Sequence, residues 1–236
     1  MSQDDFDIDS LATYLHLLPQ QVVRLADRGK LPGRKVGGQW RFSHAEMHHW
    51  LEERIGLSDE VELLHFEDVL QRAHGAAPSE IVIAQMLPVE AIAVPLAART
   101  RNSVFQAMVE KASATDWLWD PERMAEAIRT REEMFPTALE NGVALLHPRR
   151  PMSSILGQAF LALGRTSTGI PFGAGRGTLT DIFFLICSVD DRGHLRTLAR
   201  LSRILGSPGF LAALRQVPDA QAAHELISQT EQELPG

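Results

Sequence analysis

One cysteine, one tyrosine and an aromatic share of 6% are what this chain of 236 residues has least of. A lone thiol, Cys187, cannot close an internal disulfide, which excludes a disulfide-stapled secreted scaffold; its place inside the apolar run Ile182–Val189 marks it as a buried, inert group. No apolar run approaches the ~20 residues of a membrane-spanning helix. The opening MSQDDFDIDS is acidic and polar, without the apolar segment of a secretory leader. A globally basic surface is missing too: 23 Lys+Arg stand against 30 Asp+Glu, a net charge of −7. Together these absences predict a cytoplasmic protein that touches no membrane. A hydrophobic share of 44% and a charged share of 22% suit an ordinary globular chain of one or two domains able to bury a core.

Charge is unevenly placed. Between Ser10 and Arg41 six basic residues (Arg24, Arg28, Lys30, Arg34, Lys35, Arg41) face one acid, Asp27, a local balance of +5. Such asymmetry is the footprint of a small nucleic-acid-binding module in an otherwise acidic chain. The same region punctuates itself into short elements. Asp9 or Ser10 can cap a helix over 10–18 with Leu11, Tyr14, Leu15 and Leu18 at helical spacing. Pro19 opens a second helix, where its missing N–H costs nothing, and Gly29 closes it in a left-handed cap. Two short helices joined tightly form a helix-turn-helix whose second member enters the major groove. Arg34–Val36 and Gln39–Phe42 around Gly37-Gly38 predict a β-hairpin. Ser43-His44-Ala45-Glu46 reads as a capping box that starts a third helix through Trp50 and Leu51.

The order LATYL, QVVRLADRGKLPGRKVGGQWRF and EMHHWL, over residues 8–55, resembles the excisionase-like, MerR-type winged helix-turn-helix. The resemblance implies a DNA partner. Gln20, Gln21 and Arg24 on the second helix are then the base-reading candidates, and Arg34, Lys35, Gln39 and Arg41 on the wing are candidates for phosphate contact. Trp40 is expected to pack the wing. His44, His48 and Glu52 share a face at i, i+4, i+8, but no further convergent ligand accompanies them; a solvated face is expected, with no metal.

Residues 57–79 read as a linker: Val61, Leu63, Leu64, Val69 and Leu70 fit a short amphipathic helix, broken by His74-Gly-Ala-Ala-Pro-Ser. The domains are therefore drawn at 1–56, 57–79 and 80–236. In the last, Ile81–Met86, Ala91–Val94, Ile155–Leu163 and Thr178–Val189 suit strands. The fourth is apolar enough to be a central strand buried on both faces. Arg101–Ala112, Pro121–Glu133, Leu195–Leu205 and a helix capped by Asp219 and running to about Glu231 alternate with them. The fold class is thus multi-domain: a small, mostly α winged helix-turn-helix with a β-hairpin wing, then an α/β sandwich with a mixed sheet flanked by helices. Gly173-Ala-Gly175-Arg-Gly177 leads into a strand, whereas a phosphate cradle needs helix amides behind it; a mobile hairpin turn is expected.

The stretch Arg131–His147, REEMFPTALENGVALLH, runs from a charged helix end through a turn to an apolar run that delivers one histidine. Imidazole alone has an unperturbed pKa near neutrality, so His147 is a candidate nucleophile or phosphate acceptor; a packed histidine at a strand end is the other reading of this stretch. Three pieces then resemble the enzyme IIA component of the bacterial sugar phosphotransferase system, in its fructose/mannitol/nitrogen-regulatory class. They are Arg131-Glu132 with Asn141-Gly142-Val143-Ala144-Leu145-Leu146-His147 at the family's spacing, the strand Asp181–Val189 followed by Asp190-Asp191 and His194-Leu195, and the helix LRTLARLSRIL.

The resemblance implies that His147 accepts a phosphoryl group, that His194 hydrogen-bonds it, and that Arg131 pairs with its oxygens. Arg149 and Thr137 are further candidates for holding phosphate. Such a set needs no cofactor or metal. The family usually carries proline before the histidine and glycine after it; this chain has Leu146 before and Pro148-Arg149-Arg150 after. Phe135-Pro136-Thr137-Ala138 stands where a Ser-Thr-Gly run is usual. Taken together, the two resemblances imply a DNA-binding regulator that senses phosphotransferase status through His147, with a phosphocarrier protein as partner and a homodimer compatible. As chemistry this is at most a phosphohistidine transfer protein. Two alternatives stay open: a phosphocarrier component of a sugar phosphotransferase system, and a non-phosphorylated pseudo-carrier acting as a binding module.

Overall fold

A computed structural model describes residues 5–15, 17–43, 46–47, 50, 81–134, 136–175 and 177–234. The linker 57–79, its short helix, the capping box at Ser43 and the His44/His48/Glu52 face lie wholly or partly outside the described residues. The chain divides into two compact units, the first built on Met1–Glu80 and the body of the second beginning at Ile81.

In the first unit, β1 (Asp5–Phe6), α1 (Ile8–Leu15), α2 (Pro19–Asp27), β2 (Arg34–Val36) and β3 (Gln39–Ser43) follow one another. Leu11, Ala12, Leu15, Val22, Ala26, Leu31 and Phe42 are buried and form the core that joins the helix pair to the hairpin. Gly29 turns the chain at φ +66° with its N–H on the Ala26 carbonyl at 3.0 Å. Gly37 and Gly38, at φ +58° and +81°, close the hairpin between paired Val36 and Gln39; both positions demand the left-handed region that glycine reaches without strain. The sheet order is β1-β3-β2. Strand β1 lies outside the sequence-based expectation, since two residues carry no readable alternation.

The second unit contains α3 (Ile83–Met86), β4 (Ile92–Ala93), α4 (Arg101–Ser113), α5 (Pro121–Met134), β5 (Val143–Leu146), β6 (Phe160–Pro171), β7 (Leu179–Cys187), α6 (Asp191–Gly206), α7 (Phe210–Leu214) and α8 (Ala220–Glu233). The four-stranded sheet runs β4-β6-β7-β5. Strand β7 is antiparallel to β6 and parallel to β5, in register Val143↔Ile182 to Leu146↔Leu185. One face of the sheet (Ala144, Leu146, Phe160, Ala162, Phe183, Leu185, Cys187) packs on Val104, Phe105, Met108 and Ala112 of α4 and Met124, Ala125 and Ile128 of α5. Alternate residues Leu145, Leu161, Leu163, Ile182, Phe184 and Ile186 are buried on the other face. Burial on both faces explains the uninterrupted apolar run of β7.

Three expectations are corrected. Ile81–Met86 is expected as a strand, but Ile83–Met86 forms α3, because the Glu231 carboxylate of α8 accepts from the Ile83 and Ala84 N–H groups at 2.8 and 2.9 Å and caps a helical turn there. Of Ala91–Val94, only Ile92–Ala93 is strand, preceded by a single 3₁₀ turn at Val89–Ala91. The strand expected over Ile155–Leu163 starts at Phe160 and continues to Pro171, with Ser153–Ile155 a 3₁₀ turn. Its polar second half, past a register shift between Arg165 and Ile170, hid its length. The glycine-rich segment leads from β6 into β7, with Gly173 at φ +110°. Helix α7 had no counterpart in the sequence pattern.

Candidate phosphate-handling site and helix-turn-helix surface

Parallel pairing of β5 and β7 places the C-terminal ends of both strands on one edge of the sheet, the edge where α/β proteins hold their ligands. His147 follows β5 directly. Ser188 follows β7, and after it Asp190 caps α6, its carboxylate accepting from the Gly193 N–H at 2.8 Å. His194 sits in the first turn of α6. Its ring lies 4.9 Å from that of His147, centroid to centroid, tilted by 53°. Both imidazoles are buried, at 2% and 3% exposure.

The geometry assigns the nitrogens. The Nδ1 of His147 is 3.1 Å from the carbonyl oxygen of Pro148. A carbonyl only accepts, so Nδ1 carries the proton and, in the neutral ring, Nε2 carries the lone pair. The residue after the histidine thus helps set the ring's aim. The Nδ1 of His194 meets the Ser188 hydroxyl at 2.9 Å, which fixes the second ring at the N-terminal end of a helix, where the helix dipole favours an anion.

Arg131 lies in the last turn of α5 and is buried. Thr137 is turned to another partner: its N–H donates to Glu132 Oε1 at 3.0 Å, and its hydroxyl donates to the same oxygen. As a phosphate ligand, Thr137 would have to give up that bond. Arg149 is exposed, two residues beyond His147. Glu132, Ser188 and Asp190 complete this region. Sequence reasoning passed over Ser188, and only its position between an apolar strand and a helix cap signals it. Glu132 is almost wholly buried, and burial pushes its carboxyl above the usual carboxylate range against the opposing pull of Thr137 and Arg101.

The turn that feeds β5 is clamped as well. Gly142 stands at φ +88°, and a Cβ there would lie 2.7 Å from Nη2 of Arg215. That guanidinium donates to both Asp181 oxygens, at 2.8 and 2.9 Å, and to the Asn141 carbonyl at 2.7 Å. Only glycine admits so close an arginine at this backbone angle.

On the first unit, Gln20, Gln21 and Arg24 are exposed along α2. Gln21 has a structural task, its Oε1 accepting from the Leu18 N–H at 2.8 Å. Leu18, expected on the apolar side of the first helix, instead lies beyond α1 as the N-cap residue of α2 and is 67% exposed. The wing cations are partnered by acids: Arg34 with Asp5 at 2.8 Å, Lys35 with Asp27 at 3.5 Å and Arg41 with Asp7 at 3.9 Å. Gln39 bonds Arg41 at 3.3 Å. Trp40 is half-buried, stacked on Phe42 and covered by the Lys35 ammonium.

Residues 85–230 match the model of the phosphoenolpyruvate-dependent sugar phosphotransferase system EIIA 2 family. The chain belongs to that family. Residues 6–55, ahead of the EIIA domain, match a helix-turn-helix domain. The nitrogen regulatory protein of Bradyrhizobium diazoefficiens is 29% identical over 149 residues, 62% of this chain and 94% of that protein. The fructose-specific EIIABC component of Bacillus subtilis is 25% identical over 149 residues, which are 62% of this chain and 23% of the relative. In fold, the EIIA domain is similar to the nitrogen regulatory protein IIA-Ntr of Neisseria meningitidis, with TM-score 0.51 at 20% identity over 61% of this chain and 98% of that one. It is also similar to IIA mannitol of Escherichia coli, with TM-score 0.53 at 17% identity over 59% and 97%. Among the described residues, no helix is long and apolar enough to cross a membrane.

Proposed function

We propose that the protein is a cytoplasmic DNA-binding regulator whose EIIA domain takes a phosphoryl group on His147 and thereby reports phosphotransferase status. The observation that supports this most directly is the paired imidazoles, with His147 Nδ1–H held by the Pro148 carbonyl and His194 held at the start of α6. In the reaction, the His147 Nε2 lone pair attacks the phosphorus of a phosphohistidine on a phosphocarrier protein. The N–P bond of the donor breaks as the new one forms, and the donor imidazole leaves with the electron pair. With Ser188 donating to Nδ1, His194 presents Nε2–H to a phosphoryl oxygen. Arg131 offers a guanidinium for the others, and Arg149 adds positive charge at the rim. Positioning and charge stabilisation are what phosphoryl transfer asks of a protein. The helix-turn-helix would use Gln20 and Arg24 on α2 toward bases, and Arg34, Lys35, Gln39 and Arg41 toward phosphates. A dimer would supply two half-sites.

The test is to incubate the full chain with phosphoenolpyruvate and the general phosphotransferase proteins, beside His147→Ala. Acid-labile label on the wild type, absent from the variant, is the expected result; an unlabelled wild type would sink the acceptor role. That second outcome is what a pseudo-carrier gives. The 2% exposure of His147 favours this reading, since a protein donor needs access to its Nε2.

A further inference from the structure

We propose that Glu132 and Thr137 are positioning residues: a buried latch that holds the loop before β5 in place and so sets where His147 stands. The chemistry rests on the acceptor reading above, but the latch is a matter of geometry. Glu132 closes α5 next to Arg131, and its side chain is 0% exposed. One carboxylate oxygen accepts from the Thr137 N–H and hydroxyl; the other accepts from Arg101 Nη2 at 3.1 Å. The same Arg101 nitrogen donates to the Glu132 carbonyl at 2.6 Å, so the first turn of α4 grips the last turn of α5.

From Thr137 the connection runs into β5. The Leu145 N–H donates to the Thr137 carbonyl at 3.3 Å, and the Leu139 N–H donates to the Val143 carbonyl at 2.7 Å. Ala138 and Ala144 form a bridge between them. Leu145 is two residues before His147. A second clamp acts from the hairpin: Gly173 lies so close to Pro136 that a Cβ on it would meet the ring at 2.6 Å, and Phe172 beside it is covered by the Arg101 guanidinium at 5.4 Å. Pro136 and Thr137 are therefore gripped from the β6–β7 turn and from α5, whose Glu132 is in turn held by Arg101 of α4. A group buried at this depth and bonded on both oxygens is ordered without solvent's help, and a small error in its placement is passed on to the reacting nitrogen.

The experiment compares the full-length wild type with Glu132→Gln, Thr137→Val and Thr137→Ser. Two readouts are taken well below each variant's melting temperature. The first is amide hydrogen exchange. Glu132→Gln and Thr137→Val are expected to speed exchange at Leu139 and Leu145 by about tenfold or more, while Ile182–Leu185 of β7 keep their protection. Thr137→Ser, which retains the hydroxyl, should behave as wild type. The second is phosphoryl transfer from the phosphorylated carrier protein. There kcat should fall by about ten- to a hundredfold with KM for the donor unchanged, and Thr137→Ser should restore it. Wild-type exchange at Leu139 and Leu145 in both Glu132→Gln and Thr137→Val overturns the latch. If the wild type takes no phosphate, the acceptor reading fails by itself, and the exchange comparison still decides the latch.

Discussion

His147 and Glu132 pose opposite problems for a folded chain. To be the acceptor proposed above, the imidazole must stay reactive although buried, and a hydrogen bond to the next residue's carbonyl serves this by holding the proton on Nδ1. The carboxyl has no solvent and draws on Thr137 and Arg101, yet burial still raises its pKa. The linkage has a definite sign. An acid whose folded pKa lies above its unfolded value adds stability that is complete below the unfolded value and disappears as pH rises through the folded one. Glu132→Gln removes that titration. The stability of wild type relative to Glu132→Gln is therefore expected to be level in acid, to decline as pH rises from the ordinary carboxylate range through the raised value, and to level off again. Urea denaturation at a series of pH values measures it; a difference that does not change with pH would show that Glu132 titrates normally.

At the scale of elements, the two-residue strand β1 has an effect out of proportion to its length. It brings Asp5 to Arg34, and just beyond it Asp7 faces Arg41, so acids occupy the cations proposed above to meet DNA phosphates. Such exposed pairs are individually weak. The double variant Asp5→Asn/Asp7→Asn is expected to bind a DNA duplex about two- to tenfold tighter at low salt, with the gain fading as salt rises. Fluorescence anisotropy over a salt series reads this, and unchanged affinity at low salt would refute it. What was legible in the sequence follows the same local-versus-distant divide. The wing hairpin, α2 and β7 were readable because their signals are contained in them: Gly37-Gly38, Pro19, an apolar run. Helix α3 was not, since a short apolar run fits strand or helix equally, and the deciding carboxylate, Glu231, comes from the far end of the unit. The candidate site divides likewise. His147 ends a recognisable apolar run and His194 follows a recognisable strand, whereas the Glu132–Thr137 bond and the Ser188–His194 contact join side chains whose pairing no spacing announces.

For the molecule as a whole, the central expectation is thermodynamic. A phosphoryl group at His147 adds roughly −1.5 to −2 of charge to a chain already at −7. If that event is coupled to the helix-turn-helix, the phosphorylated protein should bind DNA more weakly, by about five- to 150-fold for a coupling of typical size. Binding DNA must then oppose phosphorylation by the same factor, because the coupling is reciprocal. Titrating one duplex with phosphorylated wild type, unphosphorylated wild type and His147→Ala tests this; equal affinities for all three would leave the two domains as independent passengers on one chain.

The parallel pairing of β5 with β7 carries a consequence for the time order of events in the cell. Parallel strands join only after a long loop has closed, which makes them late and slow to form. The two imidazoles meet across that pairing, so a nascent, nicked or half-folded chain would have His147 in its sequence but no companion ring beside it. On the function proposed above, the acceptor site would form only once these strands have paired, and only folded molecules would take up phosphate.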